Sequence, residues 1–365
     1  MLKTAPALFA VADTYQILVP LACDALVWVK VGDEEYYDES NGIMRSLSEL
    51  HRITVPMAAL DAARSYTLFV RPLIERKPYF TTTKHVVGYT YAFRPVPATG
   101  ARIYHISDAH NRIEEPIAAA EQFIADHGPL DLLVLNGDVI NHSGDPTKFA
   151  NIYEICSRLT GGNIPTVFSR GNHDMRGNYA EAFAAYTPNH LGHTYYTFRL
   201  GAIWGILLDC GEDKLDDHPE YGCTVCCRAF RRRQTAFLRE VIANADKEYA
   251  APGIKTRLVI AHNPFTQKYT PPFDIEEETF AEWCRLLREE VKPDLMICGH
   301  LHSLEVRPVG HPSDHFGQPC PVVIGSKPGK DGLFTGCGIV LEDEKFGIFF
   351  TNNKKETIES IELAR

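Results

Sequence analysis

Two rhythms of apolar and polar residues divide the chain. Up to about residue 98 the apolar positions come in short, partly alternating runs: Val19 to Val31, Ile53 to Ala58, Tyr66 to Pro72 and Val86 to Phe93. Turn-forming residues separate them, as at Gly32-Asp33-Glu34-Glu35 and Ser40-Asn41-Gly42. Short strands broken by turns of this kind predict a small all-β sandwich. The segment carries no metal-ligand spacing and no nucleophile–base pair, so it is expected to be an accessory domain covering a face or an edge of a second domain. Pro95-Val96-Pro97-Ala98-Thr99-Gly100 reads as a linker. The expected division is therefore 1–98 and 99–365.

From Ala101 strands alternate with helical spacing. Ile103 to Ser107, Leu130 to Leu135 and Thr166 to Ser169 read as strands. Pro116 to His127 and Pro146 to Leu159 read as helices between them. Such alternation implies right-handed crossovers and a largely parallel sheet. Ligands then gather beyond the carboxyl ends of the strands. Further on, strands are expected at Tyr195 to Leu200, Ala202 to Asp209, Arg257 to Ala261 and Leu295 to Cys298, with helices at Phe230 to Asn244 and Glu276 to Val291. Val306 to Val309, Val322 to Ile324, Gly338 to Leu341 and Gly347 to Thr351 give a β-rich end. The run Arg231-Arg232-Arg233 reads as a solvated helical face.

Composition narrows the chemistry. The 365 residues are 45% hydrophobic with a formal net charge of -10, which suits a globular chain with ample core. That charge argues against a non-specific nucleic-acid surface. It leaves an anionic substrate open, because bound cations can reverse the local field. No run of 18 apolar residues offers a membrane span, and the stretch Ala5 to Ala12 is too short for a signal peptide. The ten cysteines are scattered and several lie in apolar runs, as expected for reduced core thiols of a cytoplasmic protein. Cys223-Thr224-Val225-Cys226-Cys227, with His218 upstream, is expected to form a loop at the pocket mouth rather than a zinc site, since no second cysteine pair accompanies it.

The polar residues just after five apolar runs belong together. They are Asp108-Ala109-His110, Gly137-Asp138, Arg170-Gly171-Asn172-His173-Asp174, His262, and Gly299-His300-Leu301-His302. Asp108, His110, Asp138, Asn172, His262, His300 and His302 would thus meet at one edge of the sheet. Seven such groups would leave polar atoms unpaired unless a cation joins them. Mixed carboxylate and imidazole donors suit Mn, Zn, Fe or Ni. Seven donors exceed one tetrahedral site and suit two ions sharing a carboxylate.

Asp-x-His, Gly-Asp, Gly-Asn-His-Asp, His and Gly-His-x-His, in this order over about residues 101 to 350, resemble the calcineurin-like metallophosphoesterases. The resemblance implies an α/β (α+β) fold: a two-sheet β-sandwich flanked by helices, preceded here by the small all-β sandwich domain. It also implies two divalent transition metal ions. Asp108, His110 and His302 would hold one, Asn172, His262 and His300 the other, and Asp138 would bridge them. His173 would be the catalytic histidine, oriented by Asp174, and Arg170 would contact phosphate. The implied activity is hydrolysis of phosphate esters by a bridging hydroxide attacking phosphorus in line, with phosphodiester and phosphoprotein substrates as alternatives to small monoesters and a non-catalytic scaffold as the remote one. The two-part layout is similar to purple acid phosphatases. Their first motif, however, has Gly where His110 stands, and their tyrosine ligand is replaced by Asn141, so a tyrosinate-bound ferric ion is not expected. Asn141 and His142 would line the pocket.

Overall fold

Alternate side chains of the strand Ala101–Ile106 enter different cores, and this sorts the molecule into layers. In the computed structural model, which describes residues 1–365, Ala101 and Ile103 join one buried cluster while Tyr104 and Ile106 join another. The next strand, Leu132–Asn136, repeats the division, with Leu132 and Val134 on one side and Leu133 and Leu135 on the other. Strands buried on both faces read as near-continuous apolar runs, as Leu132 to Leu135 does, whereas Arg102 and His105 interrupt Ala101–Ile106.

Ala101–Ile106, Leu132–Asn136 and Thr166–Ser169 pair in parallel at the middle of a ten-stranded sheet. Phe334–Leu341, Lys345–Asn352 and Glu356–Ala364 continue it antiparallel on one side. The second sheet runs Tyr196–Leu200, Ile203–Leu207, Thr256–Ile260, Leu295–Cys298, Val322–Ile324, Glu305–Arg307, with its four central strands parallel. The two sheets share the largest apolar core. Helices Glu114–His127 and Ala150–Thr160 cover the outer face of the first, and Cys227–Ala243 and Glu277–Leu286 that of the second. The fold is the expected two-sheet sandwich flanked by helices, and its strand-rich N-terminus is β apart from the short helix Met57–Ala63.

The boundary at residue 98 is corrected. Ala7–Val11 pairs in parallel with Thr166–Ser169 through Phe9 and Thr166. Thr14–Pro20 and Leu50–Pro56 extend the same sheet. Ala25–Val31, Glu34–Tyr37, Ser65–Glu75 and Val87–Ala92, with the two-residue strand Thr82–Thr83, form a sheet of their own, and Glu39–Ser40 pairs with Ile43–Met44 in a small ribbon. The sheet packs Val27, Val29, Leu68 and Val70 against Ile17, Val19 and Ile53. An N-terminal sandwich therefore exists, but one of its layers is the end of the large sheet. The physical reason is the edge that Thr166–Ser169 would otherwise present. The apolar run of Ala7–Val11, buried along its length, covers it.

Two smaller expectations also change. Arg231 is fully buried, donating to the carbonyls of Cys210 and Glu212, while Arg232 and Arg233 stay exposed. The last strand, Glu356–Ala364, was not expected, because its polar residues hide the pattern. No helix is long and apolar enough to cross a membrane.

Candidate metal centre

All five motif loops leave the carboxyl ends of strands, three from the large sheet and two from the smaller one. Asn136 stitches the sheets together below them, its side-chain amide donating to the carbonyls of Ala261 and Ile297, both at 3.2 Å. The loops then bond to one another: the Asp108 N–H donates to Gly137 O at 3.1 Å, that of His110 to Asp138 O at 2.9 Å, and that of Gly299 to His262 O at 2.9 Å. Gly137 and Gly171 are needed where two of these loops touch. A Cβ on Gly137 would stand 2.6 Å from Gly171 Cα, and one on Gly171 would stand 2.2 Å from Asp138 Oδ1.

The backbone is strained here. Asp108, His110, Asp138, His300 and His302 all have positive φ, between 46° and 67°. Residues with a Cβ rarely adopt this region, and each instance costs about 1–3 kcal/mol. Five of the seven candidate ligands carry that cost, and it turns consecutive side chains toward one point.

The seven residues do converge. His302 Nε2 lies 3.2 Å from Asp108 Oδ1 and 3.1 Å from His110 Nε2. His262 Nε2 lies 3.2 Å from Asp138 Oδ2 and 3.8 Å from Asp108 Oδ1. His300 Nδ1 is 3.1 Å from Asn172 Oδ1. Asp108, His110 and His302 have ligand atoms within 4.8 Å of one another, as do Asp108, Asp138 and His262, and His110, Asp138 and His173. Outer contacts set the aim of several groups. His262 Nδ1 meets Asn136 O at 2.7 Å, so the proton belongs on Nδ1 and the Nε2 lone pair faces the carboxylates. Asp108 Oδ2 accepts from Ser107 Oγ at 2.5 Å and from the His300 N–H at 3.0 Å.

Donor chemistry fits a cation. Asp108 Oδ1, His262 Nε2 and His110 Nδ1 are buried without a hydrogen-bond partner, and orphaned polar atoms of this kind need an explanation. Burial works against ionising Asp138, yet the imidazoles, His262 foremost, hold its carboxyl below the usual range. Burial alone would keep His262 neutral; Asp138 and then Asp108 raise it to about 10. Burial lowers His110 and His300 to about 4. The buried carboxylates thus favour a proton on His262, and the Asp108 contact raises His302 as well, while burial keeps His110 and His300 neutral. A divalent cation at this point would replace that proton.

His173 donates its backbone N–H to Asp138 Oδ1 at 2.9 Å, and its ring Nδ1 meets the Asn141 carbonyl at 2.8 Å. Its ring stands 4.8 Å from that of His110. The expectation that Asp174 orients this ring is corrected. Asp174 Oδ2 accepts from the N–H groups of Gly171 at 2.8 Å and Asp138 at 3.2 Å, so it braces the backbone beneath both motifs. Burial and the neighbouring Asp138 push its carboxyl up to about 8. Arg170 likewise has another partner: its Nε donates to Asp209 Oδ2 at 2.8 Å, and its guanidinium lies over Phe230. No hydrogen bond or ion pair joins it to the seven. His142 turns back on its own loop, accepting from the Gly144 N–H at 3.0 Å.

Three features escaped the sequence reading. One is the set of carbonyls of Asn136 and Asn141, invisible because any residue type supplies them. Another is a small cavity of about 10 Å³ beside His300, walled by Asp213, Asn263, Phe265, Tyr269, Phe273 and Phe280. The third is the loop after Asp209. Arg176 ties it to the Asn172 loop, with both guanidinium bonds to Glu212 at 2.9 Å and a contact to Glu220 at 3.2 Å. Lys214 is held by Asp213 at 3.1 Å and Glu220 at 2.9 Å. Cys210 and Asp213 of this loop do reach the cavity, while Cys223 and Cys226 are exposed free thiols.

The chain is similar to several known proteins. A probable cyclic nucleotide phosphodiesterase of Rhodopseudomonas palustris is 26% identical over 216 residues, 56% of this chain and 67% of that protein. A purple acid phosphatase from yellow lupin (Lupinus luteus) seeds superposes with a TM-score of 0.66 at 13% identity, over 100% of this chain and 75% of that one. A dimetal phosphatase from Danio rerio aligns with a TM-score of 0.48 at 12% identity, over 73% of this chain and 99% of that one. Residues 101–304 match the calcineurin-like phosphoesterase family, and this span holds all seven converging residues. The chain belongs to the calcineurin-like phosphoesterase family and is a hydrolase of phosphate esters.

Proposed function

We infer that the chain is a two-metal phosphodiesterase acting on small phosphodiesters. Asp108, His110 and His302 would hold one ion, Asn172, His262 and His300 the second, with Asp138 facing both. When bound, the cations supply Lewis-acid polarisation of the phosphoryl oxygens and a water of lowered pKa. The chain's residues do the rest. Asp138 takes a hydrogen bond from the His173 N–H, which locks the relation between the ligand set and the catalytic ring. The Asn141 carbonyl can accept from Nδ1–H whether or not Nε2 is protonated. Nε2 is then free to pass a proton to the departing oxygen as a general acid.

The observation that carries the choice of diester is the state of the nearby cations. Arg170 is paired with Asp209, Arg176 with Glu212, Asp213 and Glu220, and Lys214 with Asp213 and Glu220. A monoester dianion calls for extra positive charge beyond the metals, and these side chains are already neutralised. Asp213 also shares the cavity wall with His300, which disfavours a second negative charge there. A diester carries one charge and has no such demand. The relative described as a probable cyclic nucleotide phosphodiesterase supports the same reading. A scaffold role is disfavoured because every ligand position is filled.

The test compares kcat/KM for bis(p-nitrophenyl) phosphate and p-nitrophenyl phosphate, with the protein loaded with Mn and after chelation. Metal-dependent turnover favouring the diester by at least about tenfold, or about 1.4 kcal/mol, is expected. A preference for the monoester of that size would overturn the assignment.

A further inference from the structure

Seven of the fourteen exposed large hydrophobic side chains lie within residues 37–87. Scattered singly such side chains need no explanation; Tyr79 and Phe80, adjacent in one turn, do. The most exposed pair tips a hairpin. Strand Ser65–Glu75 folds back onto Thr82–Thr83, with Leu73 opposite Thr83 and Glu75 opposite Thr82. The turn between them is Arg76-Lys77-Pro78-Tyr79-Phe80-Thr81. Tyr79 is 81% exposed and Phe80 94%.

This tip has a defined shape. Thr81 Oγ1 donates to Lys77 O at 3.1 Å and accepts from the Lys77 N–H at 3.3 Å. Arg76 anchors the base, its Nη1 donating to Ser46 Oγ at 2.6 Å and Met44 O at 3.2 Å. Phe80 sits at φ 59°, a conformation disfavoured for a bulky residue. Two large rings are thus held in water on a braced turn. Ile74 on the same hairpin is 58% exposed, as is Leu47, at 72%, beside the Ser46 anchor.

Charge surrounds the rings. Over residues 71–85 the chain carries Arg71, Arg76, Lys77 and Lys84 against Glu75 alone. All five side chains are exposed, and Glu75 pairs with Lys77 at 2.8 Å. The surplus stands out in a chain whose net charge is -10. We propose that this hairpin is a membrane-docking finger, which sets Tyr79 and Phe80 into the interfacial layer of an anionic bilayer while Arg76, Lys77 and Lys84 meet the head groups. Tyrosine, with its polar handle, prefers that depth, phenylalanine adds apolar area, and basic side chains beside them reach the lipid charge.

Area and shape favour lipid over a protein partner. Two aromatic side chains offer about 400 Å², roughly half of the 800 Å² that each side of a stable protein interface buries. The tip is convex, so a protein would need a matching socket, whereas a fluid interface needs none. The absence of a membrane-spanning helix is compatible with this, since the finger lies on a surface and crosses nothing.

The test is co-sedimentation of the full chain with vesicles of phosphatidylcholine, alone or with a minority of phosphatidylserine. Binding to the anionic vesicles is expected, weaker on phosphatidylcholine alone and weakened by added salt. Tyr79→Ser with Phe80→Ser should lower the partition coefficient by about tenfold or more, with melting temperature and turnover of a soluble diester unchanged. Lys77→Gln with Lys84→Gln should remove most of the preference for anionic lipid, and this pair decides the matter if the aromatic pair alters melting. No partition onto either vesicle, or equal partition of wild type and both variants, would overturn the proposal. So would a concentration-dependent dimer that the aromatic variant dissolves, which would make a second copy the occupant.

Discussion

His262 and Asn172 are buried between the sheets, whereas His302 is exposed and His110 only partly covered. In the inner group His262 is braced from behind by the Asn136 carbonyl, and His300 Nδ1 meets Asn172 Oδ1 within the set. On the outer side, His110 and His302 meet only across the centre. His110 Nδ1 is buried without a partner, and no protein group bonds the other ring nitrogen of His302. Outer-shell partners fix the tautomer and orientation of ligating histidines, and losing them typically costs about 10–100-fold in metal affinity. The contrast therefore teaches that the two halves of the proposed centre are preorganised to different degrees. The inner half should hold its metal tightly and the outer half should exchange.

The change expected to matter most removes the contrast altogether. Asp138→Asn takes away the carboxylate that faces both halves, and metal affinity should fall by well over the 100-fold of an outer-shell loss. Elemental analysis should find both metals depleted and activity nearly gone; full metal content would break the assignment of Asp138.

Next come the single-sided variants. His262→Ala should weaken the inner metal and also destabilise the metal-free protein, because it strips the buried Asp108 and Asp138 of their partner. Removing one member of a buried pair costs about 3–5 kcal/mol. His302→Ala, on an exposed side chain, should lower the metal content by one per chain with little change in metal-free melting temperature. Equal melting losses in the two variants would erase the distinction. Graded chelation of the wild type should show the same order, with a plateau near one metal per chain before full depletion. A single-step loss of both would contradict it.

His173 and Asp174, which hold no metal in the proposed centre, should have smaller effects. His173→Ala should retain both metals and lose about 10²–10⁴-fold in kcat on esters with alkyl leaving groups. Aryl esters, whose leaving groups need less protonation, should lose much less. Equal losses on both would make the ring a charge stabiliser rather than an acid. Asp174→Asn should be mildest. Burial already pushes Asp174 toward its neutral form, and an amide can supply the oxygen that accepts from Gly171 and Asp138. Activity should stay within about tenfold of wild type; a loss like that of His173→Ala would restore Asp174 as its orienting partner.

The motif residues were legible because a metal centre of the proposed kind demands particular side chains at strand ends. Asp108, His110, Asp138, Asn172, His262, His300 and His302 all reach one point for that reason. The partners of His173 and His262 were hidden because they are backbone carbonyls. The partners of Arg170 and Asp174 were hidden for a related reason. A spacing says which residues lie near a site, but not that Asp209 will take Arg170 or that two N–H groups will claim Asp174. The sheets between Ala101 and Ile324 were legible because their apolar runs stand between clear helical patterns. The N-terminal boundary was not, because strand pairing across residues 9 and 166 leaves no local trace. A linker rich in proline marks a change of direction in the chain and says nothing of which sheet the earlier strands enter.

The most direct test of the two-metal account is a titration of metal-free protein with Mn, following bound metal by elemental analysis and diester hydrolysis in the same samples. Activity should stay low through the first equivalent, as the inner site fills, and rise with the second to a plateau near two per chain. Full activity at one equivalent, or activity in rigorously metal-free protein, would contradict it.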